Sequence, residues 1–178
     1  KKINLFCSYL ICLIPLFLIT GPALPDLSIT FTSLLFIYVI IREKKFEYFN
    51  IYLLNIFFIW CLYFIIRSLF ASDILLSLEN TLFHFRFGVL VLALIFLIKN
   101  IDNLITRFSY ILFFSLILVS SDGIFQFFFG FNFFGFEMPN LQSYSGRISG
   151  FFKDELIMGS YLSRLFPLSL GLVIFSFS

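Results

Sequence analysis

Apolar stretches that approach the length of a membrane span recur along the chain, separated by short polar connectors. A spanning helix takes about 20 apolar residues, with a range of roughly 17 to 25. The candidate spans are Ile3–Thr20, Leu27–Ile41, Phe49–Ile66, Leu82–Ile98, Leu104–Ser121 and, approximately, Leu156–Ser178. Several fall at the short end of the range. Between the first two, "GPALPD" reads as a tight turn, because the prolines flanking Ala23 and Leu24 remove backbone donors. The first run also has the basic start of a signal peptide, but it is longer than a usual h-region and has no clean A-x-A site, so a helical hairpin is the simpler account. The pattern predicts an all-α fold, a polytopic transmembrane helical bundle of about six spans. With no internal repeat and no low-complexity linker, residues 1–178 form one domain.

Two connecting segments are more than connectors. In "RSLFASDILLSLENTLFHFRF", Arg67–Phe87, residues Asp73, Ser77, Asn80 and His84 fall at i, i+4, i+7 and i+11, one face of a helix with leucines elsewhere. This predicts an interfacial amphipathic helix leading into the fourth span. The second, Asp122–Asp154, begins aromatic and glycine-rich and becomes polar, as a structured loop outside the membrane would.

Composition agrees with the pattern. The chain is 61% hydrophobic and 12% charged, against about 25% charged for globular proteins, and its mean hydropathy is +1.05. A net charge of +2, with basic residues neither clustered nor interleaved with aromatics in a polar setting, excludes nucleic acid as the partner. The bilayer is the partner that composition requires. Cys7, Cys12 and Cys61 lie within apolar runs without C-x-x-C spacing, which argues against a zinc site or a disulfide framework. Because the first residue is Lys and the last apolar run ends without a tail, the sequence reads as an N-terminal fragment of a longer protein.

Orientation follows from Lys and Arg. With the N-terminus in the cytoplasm, the inside set is Lys1, Lys2, Arg42, Lys44, Lys45, Lys99 and Arg107, and the outside set is Arg67, Arg86, Arg147, Lys153 and Arg164, seven against five. The inside charges sit in the short connectors "REKKFEY" and "KNIDNLITR", where the rule is strongest. The expected topology is therefore multi-pass with a cytoplasmic N-terminus.

Familiar chemistry is missing from the residues. There is no Walker loop, G-x-S-x-G, H-E-x-x-H or dinucleotide fingerprint, and His84, the lone histidine, cannot assemble a histidine metal site. No metal site and no bound cofactor is expected. What remains is a set of basic residues expected on the outer side, and "SGRISGFFKDELIMGSYLSRLFPL" is its most informative part. Gly146 and Gly150 bracket Arg147 and Ser149, so the backbone is free to turn closely around something, beside a guanidinium suited to phosphate or carboxylate. Asp154 and Glu155 are expected in the first turn of the last helix, where acids complement the dipole. Lys153, Ser160 and Arg164, at i, i+7 and i+11, would form one stripe, with Arg164 about 15 Å deeper than Lys153. An arginine at that depth costs about 2.5–3.5 kcal/mol on insertion scales unless it faces water or a partner. Arg164 could instead snorkel or pair with an acid, Gly159 and Ser163 form a small-x-x-x-small step suited to helix packing, and Arg67 and Arg86 could be interfacial anchors. Arg147 is the strongest candidate. The residues alone indicate an arginine-lined cavity for an anion: a lipid-carrier phosphate, a carboxylate substrate or an anionic lipid head.

"GRISGFFKDELIMGSYLSRLFPL" resembles the R-x-S-G-x-F-x-(D/N)-x-x-x-x-G-x-(Y/F)-L pattern of the O-antigen ligase and polymerase superfamily of bacterial envelope proteins. "SDGIFQFFFGFNFFG" resembles the end of the preceding span in that superfamily, where an aspartate and a glutamine precede a G-x-(D/N) turn. The resemblance implies an inner-membrane glycosyltransferase that takes a glycan from an undecaprenyl-diphosphate carrier on the periplasmic side and passes it to a lipid or saccharide acceptor, without nucleotide, metal or other cofactor. It implies further that arginines hold the diphosphate. Arg147 matches the motif arginine, while Arg86 and Arg164 match only as outer-face arginines. The family's large periplasmic loop with its histidine base has no counterpart in these residues, and His84 does not take its place. The fragment would then bind part of a donor without being active alone. A permease for an anionic solute, or a non-catalytic membrane scaffold, are the other classes; the absence of an inverted repeat weighs against the first.

Overall fold

The computed structural model describes residues 2–49, 52–137, 147–153 and 155–177. Among them the chain is all-helical: α1 (Lys2–Thr20), α2 (Ala23–Glu43), α3 (Tyr52–Ser68), α4 (Ile74–Leu82), α5 (Phe85–Asn100), α6 (Leu104–Phe129) and α7 (Met158–Phe177), with 3-10 turns at Phe46–Phe49 and Gly150–Phe152. Four stretches are long and apolar enough to cross a membrane, Lys2–Thr20, Ala23–Glu43, Ile74–Asn100 and Leu104–Phe129. Leu54–Ser68 and Met158–Ile174 are shorter apolar helices. Their outward faces carry large apolar side chains, such as Ile59, Leu62 and Ile174, as lipid-facing surfaces do.

Several boundaries differ from those the sequence predicts. The first turn is shorter, since α2 begins at Ala23 and takes in Pro25, which the first turn of a helix tolerates because its N–H would be unsatisfied there anyway. Phe49 ends a 3-10 turn instead of opening the third span. The amphipathic helix shrinks to α4: Asp73 is extended (φ −120°, ψ 95°) and caps it, accepting from the Leu76 N–H at 3.2 Å, while His84 lies beyond its end. Asp73 and His84 therefore do not extend its polar face. The largest change is α6, which runs eight residues past Ser121 because nothing stops it before Gly130, whose left-handed backbone (φ +81°) suits a glycine at the C-cap.

The chain divides into two compact units. The first comprises the residues up to Ile11 together with Leu27–Asp102, and the second Cys12–Asp26 together with Asn103–Ser178. In the first unit α2 and α5 meet through Phe36 and Phe96, with centroids 5.7 Å apart, and Tyr48 packs edge-on against Phe96 at 5.2 Å. Lys45 sits over the Phe96 ring at 5.7 Å and Lys99 over Tyr48 at 5.7 Å, so the basic connectors end on this aromatic cluster. The N-terminal part of α5 approaches α3 at Gly88, where a β-carbon would stand 2.6 Å from the Phe57 ring.

In the second unit α6 packs against α7 and the Gly150–Phe152 turn through Leu112, Leu116, Val119, Phe152, Met158 and Tyr161. Ile19 of α1 joins the edge of this core. The buried Tyr161 hydroxyl donates to the Pro15 carbonyl at 2.8 Å, tying the C-terminal part of α1 to α7.

Candidate functional site

The site is the connection between α6 and α7, in the second unit. Asp122 and Gln126 stand at i and i+4 on α6 and point the same way. Past Gly130 the chain folds back on itself around Asn132. The Asn132 Oδ1 accepts from the Phe134 N–H at 3.0 Å and the Phe136 N–H at 2.8 Å, and its own N–H donates to the Phe136 carbonyl at 2.9 Å. Asp122 Oδ1 accepts from the Phe133 N–H at 2.9 Å, which draws this turn onto the end of the helix. The predicted loop beginning at Asp122 is thus a helix end followed by a folded turn. Asp122 is buried by the returning chain and lies within α6, eight residues before Gly130.

Residues 138–146, including Gly146, lie outside the described residues; the chain is described again from Arg147. Ser149 has right-handed backbone (φ −106°, ψ −26°) and Gly150 left-handed (φ +57°). Right-handed followed by left-handed backbone turns successive N–H groups toward one concave point, a geometry that binds anions or acceptor oxygens. Here that point is filled by the protein itself: Gln126 Oε1 accepts from the Ser149 N–H at 3.0 Å and the Gly150 N–H at 2.7 Å. Asn132 Nδ2 donates to the Gly150 carbonyl at 2.9 Å, closing the knot. Asp122, Gln126, Asn132 and Ser149 are all 0% exposed. Gly150 is required twice over, because a β-carbon would adopt the disfavoured φ and stand 3.0 Å from Asp122 Oδ2 and 3.3 Å from the Met158 sulfur. The glycine-shaped turn that the sequence offers for wrapping a ligand wraps a glutamine instead.

The basic candidates are placed as follows. Arg147 is exposed, two residues before the buried Ser149. Lys153 is exposed, has left-handed backbone at φ +56°, and holds its ammonium 5.1 Å from the centre of the Phe136 ring. It also lines a cleft of about 440 Å³ between the Leu18–Pro22 stretch and Phe151–Ile157. Arg164 is exposed on α7, on the same side as Ser160. Arg86 belongs to the first unit, where it is partly buried, donates to the Thr30 hydroxyl at 3.3 Å and lies 5.3 Å from the centre of the Phe87 ring.

Two expectations for this region are corrected. Lys153, Ser160 and Arg164 do not form one helical stripe, because Lys153 precedes α7 by five residues and follows a 3-10 turn. Glu155 is not in the first turn of α7, whose first residue is Met158; Asp154 lies outside the described residues. The cause is the same in both cases. Gly150–Phe152 is held as a 3-10 turn by the Gln126 and Asn132 bonds, so the helix starts later. Among the described residues nothing packs on the small-x-x-x-small step: Gly159 and Ser163 are exposed, and a β-carbon at Gly159 would meet nothing within 4 Å. Packing runs instead through Met158, Tyr161 and Leu165.

Gln126 and Asn132 enter the sequence analysis only as pattern residues of the resemblance, with no role assigned to either. The available signal was Asp122 and Gln126 at helical spacing, followed by an asparagine two residues after a glycine, a pattern that places three polar groups together at a helix end. Chemically, the knot holds backbone: Gln126 takes both converging N–H donors, so neither is open to an anion. An anion at this connection would be met by side-chain cations, and Arg147, carried on the fixed Ser149–Gly150 segment, is the best placed. No known protein family's model matches the chain, and no curated protein and no solved structure matches it either.

Proposed function

We propose that this chain is part of a membrane glycosyltransferase of the O-antigen ligase or polymerase type, in which Arg147 holds the diphosphate of an undecaprenyl-diphosphate-linked glycan. One observation supports the reading above the others. The two segments that carry the resemblance, Asp122–Gly135 and the one opening at Arg147, interlock through buried hydrogen bonds from Gln126 and Asn132, and Arg147 is left exposed at the edge of that knot. Such bonds supply what a leaving-group contact needs: a guanidinium on backbone that does not reorganise as charge develops. A planar guanidinium engages two phosphate oxygens at once, and its attraction strengthens as the diphosphate takes on negative charge when the glycosyl bond breaks. Lys153, on the same short segment, is the second cation, and Arg164 and Arg86 are secondary candidates.

In this reading the protein sits in the bacterial inner membrane with its N-terminus in the cytoplasm and Arg147 on the periplasmic side. The gathering of Lys45 and Lys99 on one aromatic cluster at the C-terminal ends of α2 and α5 supports that orientation, because basic connectors favour the cytoplasm. The test is glycan transfer from an undecaprenyl-diphosphate donor in membranes containing the intact protein. Arg147→Ala is expected to lower transfer by about 10² to 10³-fold, the usual loss for a removed charge-stabilising donor, with membrane abundance unchanged. Transfer at the wild-type rate overturns the proposal.

A further inference from the structure

We infer that Gln126 is the positioning residue for Arg147, acting as the resident occupant of a backbone pocket that would otherwise take an anion. The inference rests on Arg147 as the diphosphate contact. Gln126 projects from α6, a rigid element, and its one carbonyl oxygen takes both converging N–H groups, at 3.0 and 2.7 Å. Arg147 is two residues upstream of Ser149, so at 3.3–3.6 Å of chain per residue its Cα lies within about 7 Å of a fixed point. Removing the acceptor would free the backbone that aims the guanidinium.

The residue type matters as much as the contact. A concave N–H pair favours negative charge, so glutamate would satisfy the pair, though it would lack the Nε2–H that donates to the Phe136 carbonyl at 3.5 Å and the Ser149 hydroxyl at 3.4 Å. Glutamate would also place a carboxylate close to Arg147, where it attracts the guanidinium and repels a diphosphate. Glutamine supplies the oxygen without the charge. The pocket is filled without adding a carboxylate beside the segment that carries Arg147. Asp122, the acid already in the knot, has Oδ1 committed to the Phe133 N–H, while Oδ2 is buried with no hydrogen-bond partner among the described residues.

Three variants of the intact protein in detergent separate these roles, with amide hydrogen exchange at Ser149 and Gly150 read alongside the affinity for geranylgeranyl diphosphate. Gln126→Leu is expected to raise exchange at both amides and to weaken binding at least about tenfold, the effect of one lost buried hydrogen bond of about 1.4 kcal/mol. Gln126→Glu is expected to keep the amides protected yet weaken binding several-fold, a split that a purely structural role does not give. Arg147→Ala is expected to keep protection and lose binding. Gln126→Leu with wild-type exchange, or with wild-type affinity, overturns the inference. If Gln126→Leu does not accumulate, Gln126→Glu decides alone: protected amides with wild-type affinity overturn it. Wild-type affinity in Arg147→Ala instead overturns the reading of Arg147 itself, whatever the Gln126 variants do.

Discussion

The helix α4 with its flanking residues and the α6–α7 connection share a vocabulary of Asp, Asn, Ser and aromatic residues, yet they use it in opposite ways. In α4 the polar bonds are local: Asp73 caps Leu76, Asn80 donates to the Leu76 carbonyl at 3.0 Å, Thr81 to the Ser77 carbonyl, and a His84 ring nitrogen lies 2.8 Å from the Asn80 carbonyl. No residue of α4 is buried, and Leu75 is 82% exposed. At the α6–α7 connection the bonds join residues 11 to 24 positions apart, and the side chains that make them have no exposed surface. Local bonds finish a helix; long-range buried ones fix where a segment goes. α4, with leucines outward, has the form of a helix lying at a lipid interface.

Substitutions can break this comparison, and the largest effect is expected at Gln126. Gln126→Leu leaves two buried N–H groups unpaired and should lower stability by about 2–5 kcal/mol, seen as a lower unfolding midpoint in detergent. Gly150→Ala forces a β-carbon into left-handed backbone against Asp122 Oδ2, and an expected loss of about 2 kcal/mol is measurable in the same way. Asp73→Ala removes only a cap, so helix α4 should weaken by about 1 kcal/mol, visible as faster amide exchange at Leu76 without a shift in the global midpoint. Leu75→Ser should change stability by less than ~0.5 kcal/mol and show itself in weaker partition of α4 toward lipid. A Leu75→Ser midpoint as low as that of Gln126→Leu would erase the distinction between the two regions.

The helices were legible because spans announce themselves through long apolar runs, and all six predicted runs contain a helix. The end of α6 was not. Ser120–Ser121–Asp122 lowers the hydropathy as an exit from the membrane would, but Asp122 is covered by Phe133 and Gly150, residues that only a folded turn brings back. The start of α7 was hidden for a related reason. Asp154 and Glu155 carry good helix-start chemistry, and what delays the helix is a pair of bonds to Gln126, 23 and 24 residues upstream of Ser149 and Gly150. For the site, Arg147 stood out as a charge between small residues. Gln126 was visible only as a pattern residue, because a glutamine among phenylalanines declares its role only through the partner it meets.

The Tyr161–Pro15 hydrogen bond sets an order of events during synthesis. Its two ends are 146 residues apart, so at 5–20 residues per second the ribosome needs roughly 7–30 s to deliver the second after the first. Through that interval the last turns of α1 lack the tie that Tyr161 supplies. The second unit, which includes Cys12–Asp26, therefore closes late, after the first unit's own residues have all been made. A Tyr161→Phe chain should insert normally and then be more open to protease at the α1–α2 turn, while equal resistance would mean that the hydrogen bond does not govern closure.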